Sequence, residues 1–233
     1  NAFLGAVQGA FVLFLIALAL LLAMRQTEAT EGAAAVGEAR PIREILQAPL
    51  FRLAVAAGVV GQGVMVFIMT ATPVSMHVMD GHDLATTAGV IRAHVLAMYI
   101  PSLVSGLLIA RFGERTLMLW GVAALLATLA FGLSGHAVLH YTSALVLLGV
   151  GWNFLFVGGT TLLVKSYRPS ERYRAQAVNE AAVFGTSATG SLLAGTLLMS
   201  FGWMPLLLST LPILLLMGFA AFQLRKAPLP TFA

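Results

Sequence analysis

The chain has 233 residues, of which 59% are hydrophobic and only 9% are charged. A soluble domain averages about 25% charged residues, so this composition excludes a soluble globular protein. The net charge of +4 rests on scattered basic residues, which are too few and too dispersed to bind nucleic acid. Within this chain the absence of cysteine excludes disulfides, thiolate metal sites and cysteine nucleophiles.

Seven long apolar stretches predict an all-α, polytopic membrane bundle. They cover residues 2–24, 53–78, 85–110, 117–135, 142–164, 175–200 and 204–224. The second, third and sixth contain glycine, proline and polar residues, which are tolerated at membrane depth only where protein or a watery cavity covers them. We therefore expect these three helices to line an internal space. Because Asn1 leads directly into an apolar run, the chain reads as a fragment whose upstream part is missing.

The basic residues orient these spans. Of the 13 Lys and Arg residues, all except Arg92 fall in alternate loops or in the C-terminal tail. The positive-inside rule then places those loops and the C-terminus in the cytoplasm, with the chain crossing the membrane several times. We expect residues 1–24 to end one helical half, 25–52 to form a cytoplasmic linker with a short helix at 42–46, 53–226 to form a six-helix bundle, and 227–233 to form a cytoplasmic tail.

The loop between the third and fourth spans carries a recognisable motif. It reads Gly-Leu-Leu-Ile-Ala-Arg-Phe-Gly-Glu-Arg over residues 106–115 and resembles the signature loop of the major facilitator superfamily. The matching positions are Gly106, Leu108, Arg111 and Gly113, with Arg115 as the final basic residue. Ala110 stands where the family usually has Asp, which puts a salt-bridge latch at this loop in doubt. The resemblance implies gating roles for Gly106, Arg111, Gly113 and Arg115.

The same resemblance covers the whole chain. It implies helices six to twelve of a twelve-helix secondary transporter, whose two halves rock about a site near the middle of the membrane. The expected partners are therefore the lipid bilayer, the missing N-terminal half, and a small solute or metal ion. Small residues at Ala181, Gly185, Thr189 and Gly195, and the glycines at 149, 151, 158 and 159, predict close packing between helices.

Two methionine-containing pairs form the most specific candidate site. Met65 and Met69 lie one helical turn apart in the second span, and His94 and Met98 lie one turn apart in the third. At about 1.5 Å per residue, His94 lies level with Met69 and Met98 level with Met65, at ~14 and ~20 Å below the outer surface. Thioether sulfur and imidazole suit Cu(I) and bind it reversibly, whereas the alternative is that methionine fills gaps in the core.

A finer resemblance favours copper. The runs Met-x-x-x-Met-Thr-Ala-x-Pro and His-x-x-x-Met-Tyr-x-Pro resemble the CcoA-like subfamily of bacterial copper importers within the superfamily. In that subfamily the two motifs supply copper ligands, which here would be Met65, Met69, His94 and Met98. The resemblance implies that copper is the substrate transported across the bacterial inner membrane, and no cofactor is expected. The sequence around Trp152 and around Gln176 resembles the wider subfamily, which also contains riboflavin carriers, so the framework leaves the substrate open.

Polar residues within the spans are further candidates. Asn153 lies near the middle of the membrane, where it could contact substrate or bond between helices. Arg92 could gate the entrance or extend to the outer surface, and Glu180 could couple transport to protons or serve a structural role beside Asn179.

Histidines also lie near the predicted outer mouth. His77 and His82, with neighbouring methionines and acids, could collect soft ions there, whereas His136 and His140 lack a third ligand for zinc.

Several functional classes remain to be weighed. The sequence has no catalytic triad, phosphate loop or suitably spaced carboxylate pair, so it is not predicted to be an enzyme. We expect a major facilitator carrier that imports copper. The first alternative is a carrier of a small organic solute, such as riboflavin or a drug-like compound, and the second is a non-transporting membrane receptor or assembly factor.

Overall fold

The computed structural model describes residues 2–23 and 39–224, and every regular element in these ranges is helical. The predicted all-α class is therefore confirmed for this part of the chain. The chain divides into two units, residues 1–36 and residues 37–233. The first contains helix α1 (Ala2–Ala23), which corresponds to the first predicted span. Residues 25–38 of the linker predicted at 25–52, and the tail predicted at 227–233, lie outside the described residues.

The second unit is a succession of helices joined by short connections. These are α2 (Ile42–Gln47), α3 (Pro49–Pro73), α4 (Leu84–Tyr99), α5 (Ser102–Leu133), α6 (Val138–Ser166), α7 (Arg172–Phe201), α8 (Trp203–Ser209) and α9 (Leu211–Gln223). A π-helical turn, Val74–Met79, continues α3, and a 3-10 turn, Pro169–Glu171, precedes α7. The short helix predicted at 42–46 is confirmed as α2, whose Ile45 is buried.

Five stretches of the described residues are long and apolar enough to cross a membrane, judged by length and composition. They are Pro49–Met79, Ser102–Leu133, Val138–Ser166, Pro169–Phe201 and Trp203–Gln223. Four of them correspond to single predicted spans. The stretch Ser102–Leu133 instead joins the end of the predicted span 85–110 to the predicted span 117–135.

Two backbone breaks explain why these boundaries differ from the predicted ones. α4 ends just before Pro101, which has no N–H to donate, and its 16 residues extend only ~24 Å. α5 is interrupted at Gly113, where φ is 81° and ψ is 162°, a backbone conformation that favours glycine. The predicted loop at this position is thus a sharp break at Gly113. The count of seven spans stays a prediction.

α6 is the central helix of the second unit, and α3, α4 and α5 all pack against it. Glycine makes this possible, because a Cβ added at Gly149 would lie only 2.8 Å from the carbonyl oxygen of His94. A Cβ at Gly151 would lie 2.9 Å from the carbonyl oxygen of Gly121. The packing role predicted for these glycines of α6 is confirmed.

The small residues of α7 behave differently. Nothing among the described residues lies within 4 Å of a Cβ added at Gly185 or at Gly195, and Leu192 is 78% exposed. The close packing predicted for this stripe involves no described residue at Gly185 or Gly195 and stays a prediction. α7 meets α3 through the opposite side, where a Cβ at Gly190 would lie 3.5 Å from the carbonyl oxygen of Gly63.

Residue Arg40, before α2, is anchored to the turn that precedes α7. Its backbone N–H and its Nε donate to Oε1 of Glu171 at 3.0 and 2.7 Å, and its Nη2 donates to Oε2 at 2.7 Å. The Glu171 side chain is fully buried. Hydrogen bonding to this carboxylate raises the pKa of the Arg40 guanidinium above its usual value. The pair fixes the entry into α2 against the connection between α6 and α7.

Candidate functional site

His94 lies on the side of α4 that faces α6. It is fully buried, and its Nδ1 lies 2.7 Å from the carbonyl oxygen of Leu145. Because a carbonyl oxygen can only accept a hydrogen bond, Nδ1 is the donor and Nε2 carries the lone pair. Among the described residues, Nε2 is buried without a hydrogen-bond partner. The Leu145 carbonyl therefore orients an imidazole whose second nitrogen is available to a ligand.

The three methionines of the predicted copper path lie in or against the packed core. Met65 is 4% exposed and Met98 is 8% exposed, whereas Met69 is half-buried. α3 and α4 each pack more extensively on α6 than on each other. Within the described ranges, no three side chains of His, Cys, Asp or Glu are grouped so as to hold a metal ion. The convergence of the two pairs on one ion stays a prediction, and such a site would depend on thioether ligands.

Asn153 joins α6 to the region where α4 ends and α5 begins. Its Nδ2 donates to the carbonyl oxygen of Met98 at 2.8 Å and to Oγ of Ser102 at 2.5 Å. Its Oδ1 accepts from Oγ of Ser105 at 2.8 Å. Asn153 is only 1% exposed. These contacts match the interhelical role that was weighed for this residue, and a direct contact with substrate stays a prediction.

Aromatic side chains of α4 and α6 form an assembly beside these residues. The rings of Trp152 and Phe156 are stacked, with centroids 5.1 Å apart and planes at 17°. Tyr99 meets Trp152 edge to face at 6.4 Å, and Trp152 Nε1 donates to Oε1 of Gln62, on α3, at 2.7 Å. We refer to Gln62, Tyr99, Trp152 and Phe156 as the aromatic cluster.

The aromatic cluster lies where α3, α4 and α6 come together, and it is accessible in this unit. Tyr99 is 61% exposed, while the other three side chains are half-buried. Partly exposed aromatic rings beside a primary amide suit a flat solute with polar edges. The four-residue spacing of Trp152 and Phe156 could have indicated their pairing. Nothing in the sequence links Gln62 or Tyr99 to that pair, so sequence reasoning missed the cluster.

Arg92 and Glu180, the two charged residues outside the signature loop that are predicted to act in gating or coupling, are both exposed. Arg92 precedes Tyr99 by seven residues, or about two helical turns, so the two side chains share a face of α4. Glu180 Oε1 accepts a hydrogen bond from Asn179 Nδ2 at 3.2 Å, which matches the structural alternative considered for it. Gating or coupling by either residue stays a prediction.

The signature-loop residues surround the break in α5. Gly106 faces open space among the described residues, and the Arg111 guanidinium lies 5.4 Å from the ring centroid of Phe112. The Arg115 guanidinium lies 4.9 Å from the ring centroid of Phe222 and helps to line a cavity of about 540 Å³.

Glu114, between the two arginines, forms an ion pair with Lys165 at the end of α6. The last pair links the loop to α6 although Ala110 lacks a carboxylate.

Comparisons with known proteins agree with this architecture. The family model described as Major Facilitator Superfamily matches residues 81–233. The riboflavin transporter RfnT of Brucella anthropi is 41% identical over 202 residues, which are 86% of this chain and 50% of that protein.

Two further relatives come from Bacillus subtilis, both described as uncharacterized MFS-type transporters. YdeG is 38% identical over 156 residues, or 64% of this chain and 35% of that protein. YddS is 39% identical over 140 residues, or 59% of this chain and 32% of that protein.

This chain spans half or less of the length of each of these relatives. The expected copper-importer subfamily finds no support in them, while the expected superfamily does. Since the family model covers most of the chain, and since this is a family of transporters and not of enzymes, the chain belongs to the major facilitator superfamily.

Proposed function

We propose that this chain forms one half of a carrier for a small organic solute with a planar, carbonyl-bearing aromatic ring, of which riboflavin is the representative. The observation that carries the proposal is the accessible aromatic cluster on α3, α4 and α6. The similarity to a protein named as a riboflavin transporter supports the same class of solute. The organic-solute alternative is thereby favoured over copper.

The chemistry of the aromatic cluster fits such a ring. Tyr99 offers an exposed face on which a flat heteroaromatic system can stack, and stacking of this kind contributes about 0.5–1.5 kcal/mol beyond burial. The Oε1 atom of Gln62 accepts from Trp152, which holds the amide group, and no contact within residues 39–224 uses its two N–H donors, which can therefore meet a ring carbonyl. Arg92, on the same face of α4, would donate to hydroxyl or carbonyl oxygens farther along the solute.

Riboflavin uptake by cells that express the full-length carrier tests this proposal. We expect Trp152→Ala to raise the concentration for half-maximal uptake about tenfold, because it removes the stacked pair and releases Gln62. Gln62→Leu keeps the volume but removes the donor, and we expect an increase of about fivefold. Tyr173→Ala is the matched control, because Tyr173 is 86% exposed and lies outside the cluster.

The proposal would be contradicted if the unmodified carrier takes up riboflavin and neither Trp152→Ala nor Gln62→Leu changes that uptake. Absence of any riboflavin uptake by a carrier present at normal level in the membrane would reject this solute.

Copper remains a second candidate because of one observation, the buried Nε2 of His94 without a described partner. An imidazole oriented by a carbonyl is a common arrangement for a metal-ligating histidine. Under this hypothesis His94→Ala, Met65→Leu, Met69→Leu and Met98→Leu would each abolish copper accumulation at normal protein level. Unchanged copper accumulation in all four variants would leave His94 as a packing residue.

The orientation of the chain in the membrane is part of the proposal. The basic residues in alternate loops support a cytoplasmic location for the loop at Gly113 and for the connection between α6 and α7. The opposite end, with residues 77–83 and 132–141, would then face outside. A receptor or assembly factor is less well supported, since the relatives are described as transporters.

A further inference from the structure

The end of the second unit formed by residues 74–83 and 132–141 is rich in histidine, and we call it the histidine end. Pro73 closes α3, and Val74–Met79 continue it as a π-helical turn. Proline contributes no N–H donor, and π-turns are rare and often lie at functional sites. α3 is therefore least regular in the segment that reaches the histidine end.

Three histidines tie this segment to the connection between α5 and α6. His77 Nδ1 donates to the carbonyl oxygen of His82 at 2.7 Å, and His82 Nε2 donates to the carbonyl oxygen of His136 at 2.8 Å. His136 Nδ1 in turn donates to Oδ2 of Asp80 at 2.9 Å. The acceptors are two carbonyls and a carboxylate, so each imidazole must be the donor. Each described ring contact uses one nitrogen, which leaves the second nitrogen to bind a proton.

A second set of hydrogen bonds converges on the same carboxylate. The Tyr141 hydroxyl donates to Asp80 Oδ2 at 2.7 Å, and Ser75 Oγ lies 2.6 Å from the Tyr141 hydroxyl oxygen. Since the hydrogen of that hydroxyl is used in the hydrogen bond to Asp80, Ser75 is the donor in the second contact. The Tyr141 ring packs against Trp203 of α8 with centroids 5.2 Å apart. Asp80 is thus the point at which α3 is joined to α6.

We propose that the histidine end is a proton-binding clamp. Protons bound by His77, His82 and His136 tighten the attachment of the π-helical end of α3 to the α5–α6 connection. In all three contacts the histidine is the donor, and a hydrogen bond from an ionised donor is roughly twice as strong as a neutral one. Protonation therefore strengthens every link of the relay. This inference goes beyond the transported solute and does not depend on its identity.

The surrounding groups leave this sign unchanged. Asp83, at the start of α4, is engaged by the Thr86 hydroxyl and amide, and these hydrogen bonds lower the pKa of its carboxyl below the usual value. Arg92 of α4 is exposed, and His140 of α6 packs its ring over Gly135. On α5, the Gly132 carbonyl accepts a hydrogen bond from Trp203 Nε1, and α8 carries no charged residue. Asp80 is therefore the carboxylate that His136 faces.

Spin-label spectroscopy on the full-length carrier tests the clamp without substrate. This chain contains no cysteine, so Val78→Cys, at a position 65% exposed on the π-helical turn, gives one labelling position in it. We expect the label to become less mobile between about pH 7.5 and about pH 5.5, where histidine gains charge. His136 and Asp80 are partly exposed, so the expected shift in the immobile-to-mobile ratio is about threefold.

Matched variants separate the clamp from general effects of acid. His136→Gln and Asp80→Asn, which remove the link to the carboxylate, should each clearly reduce the pH response, whereas His140→Gln, which alters a histidine outside the relay, should retain it in full. A label at Leu139→Cys, at a position 73% exposed on α6, should show no response. Should Asp80→Asn fail to fold, His82→Gln tests the middle link with the same expectation. An unchanged label across this pH range, or a response that His136→Gln leaves undiminished, would overturn the proposal.

Discussion

The packing of α4 on α6 gives the sharpest prediction, because the same substitution can be made where space is absent and where it is present. A Cβ at Gly149 would lie 2.8 Å from the His94 carbonyl oxygen and 2.9 Å from the Met98 amide nitrogen. Both are backbone atoms, so α4 itself must move. A Cβ at Gly185 meets nothing described within 4 Å.

Helix propensity and steric overlap oppose each other in Gly149→Ala. Replacing glycine by alanine in a helix interior gains about 1 kcal/mol, while overpacking a close contact costs about 1–3 kcal/mol. Because the overlap is with backbone, we take the upper part of that range and expect a net loss of about 1–2 kcal/mol. Gly185→Ala retains the gain without the overlap, and we expect a small stabilisation.

Thermal unfolding of the full-length carrier in detergent, followed by tryptophan fluorescence, measures both effects. A net loss of 1–2 kcal/mol corresponds to an apparent Tm lower by a few degrees, whereas Gly185→Ala should leave Tm unchanged or raised. Uptake should fall in Gly149→Ala, since the shift of α4 displaces Tyr99 from Trp152. Equal Tm values for the two variants would refute the close approach of α4 to α6.

Three further predictions concern polar contacts. Asn153→Ala should lower the free energy of unfolding by about 2–3 kcal/mol, because the Met98 carbonyl and the Ser105 hydroxyl lose a buried partner. The Tm of this variant, compared with the Tm of the control Thr142→Ala, measures the loss. Arg40→Ala should destabilise the folded chain by about 2–3 kcal/mol, because it leaves the buried Glu171 carboxylate without this cation. Arg43→Ala, the control, should have little effect. Faster proteolysis near α2 in Arg40→Ala but not in Arg43→Ala is the readout. The stability that the Asp83 cap contributes to α4 should be fully present above the pKa of Asp83 in the unfolded chain and lost as the pH falls through its lowered pKa in the folded chain. Acid should therefore reduce the hydrogen-exchange protection of the first turn of α4, and it should do so less in Asp83→Asn.

Much of the fold could be predicted from the lengths of the apolar stretches and from the glycine and proline residues that interrupt them. The spans around α3, α6, α7 and α9 could be predicted because each is a long apolar run bounded by polar residues. The break at Gly113 could be predicted because a motif marked it. The end of α4 was missed, since Pro101 lies within a continuous apolar run and hydropathy does not register a missing backbone donor.

The candidate sites were predicted less well because they depend on tertiary contacts. The spacing of His94 and Met98 places them on one face of α4, but it does not reveal that the Leu145 carbonyl would orient the imidazole. The aromatic cluster brings Gln62 within hydrogen-bonding distance of Trp152, ninety positions later in the chain. The pairing of Asp80 with His136 likewise depends on how the α5–α6 connection meets the end of α3.

The central position of α6 relates the two proposals to each other. Tyr141, Gly149, Asn153 and Trp152 lie on this one helix, and Tyr141 and Trp152 are separated by eleven residues, or ~16 Å along its axis. A continuous helix transmits displacement over that distance as a rigid body, so tightening at Asp80 would shift the stacked rings relative to Gln62 on α3. Solute affinity and proton binding would then be coupled through the angle between α3 and α6. The prediction from this arrangement is that the concentration for half-maximal uptake changes with pH in the unmodified carrier and changes less in His136→Gln.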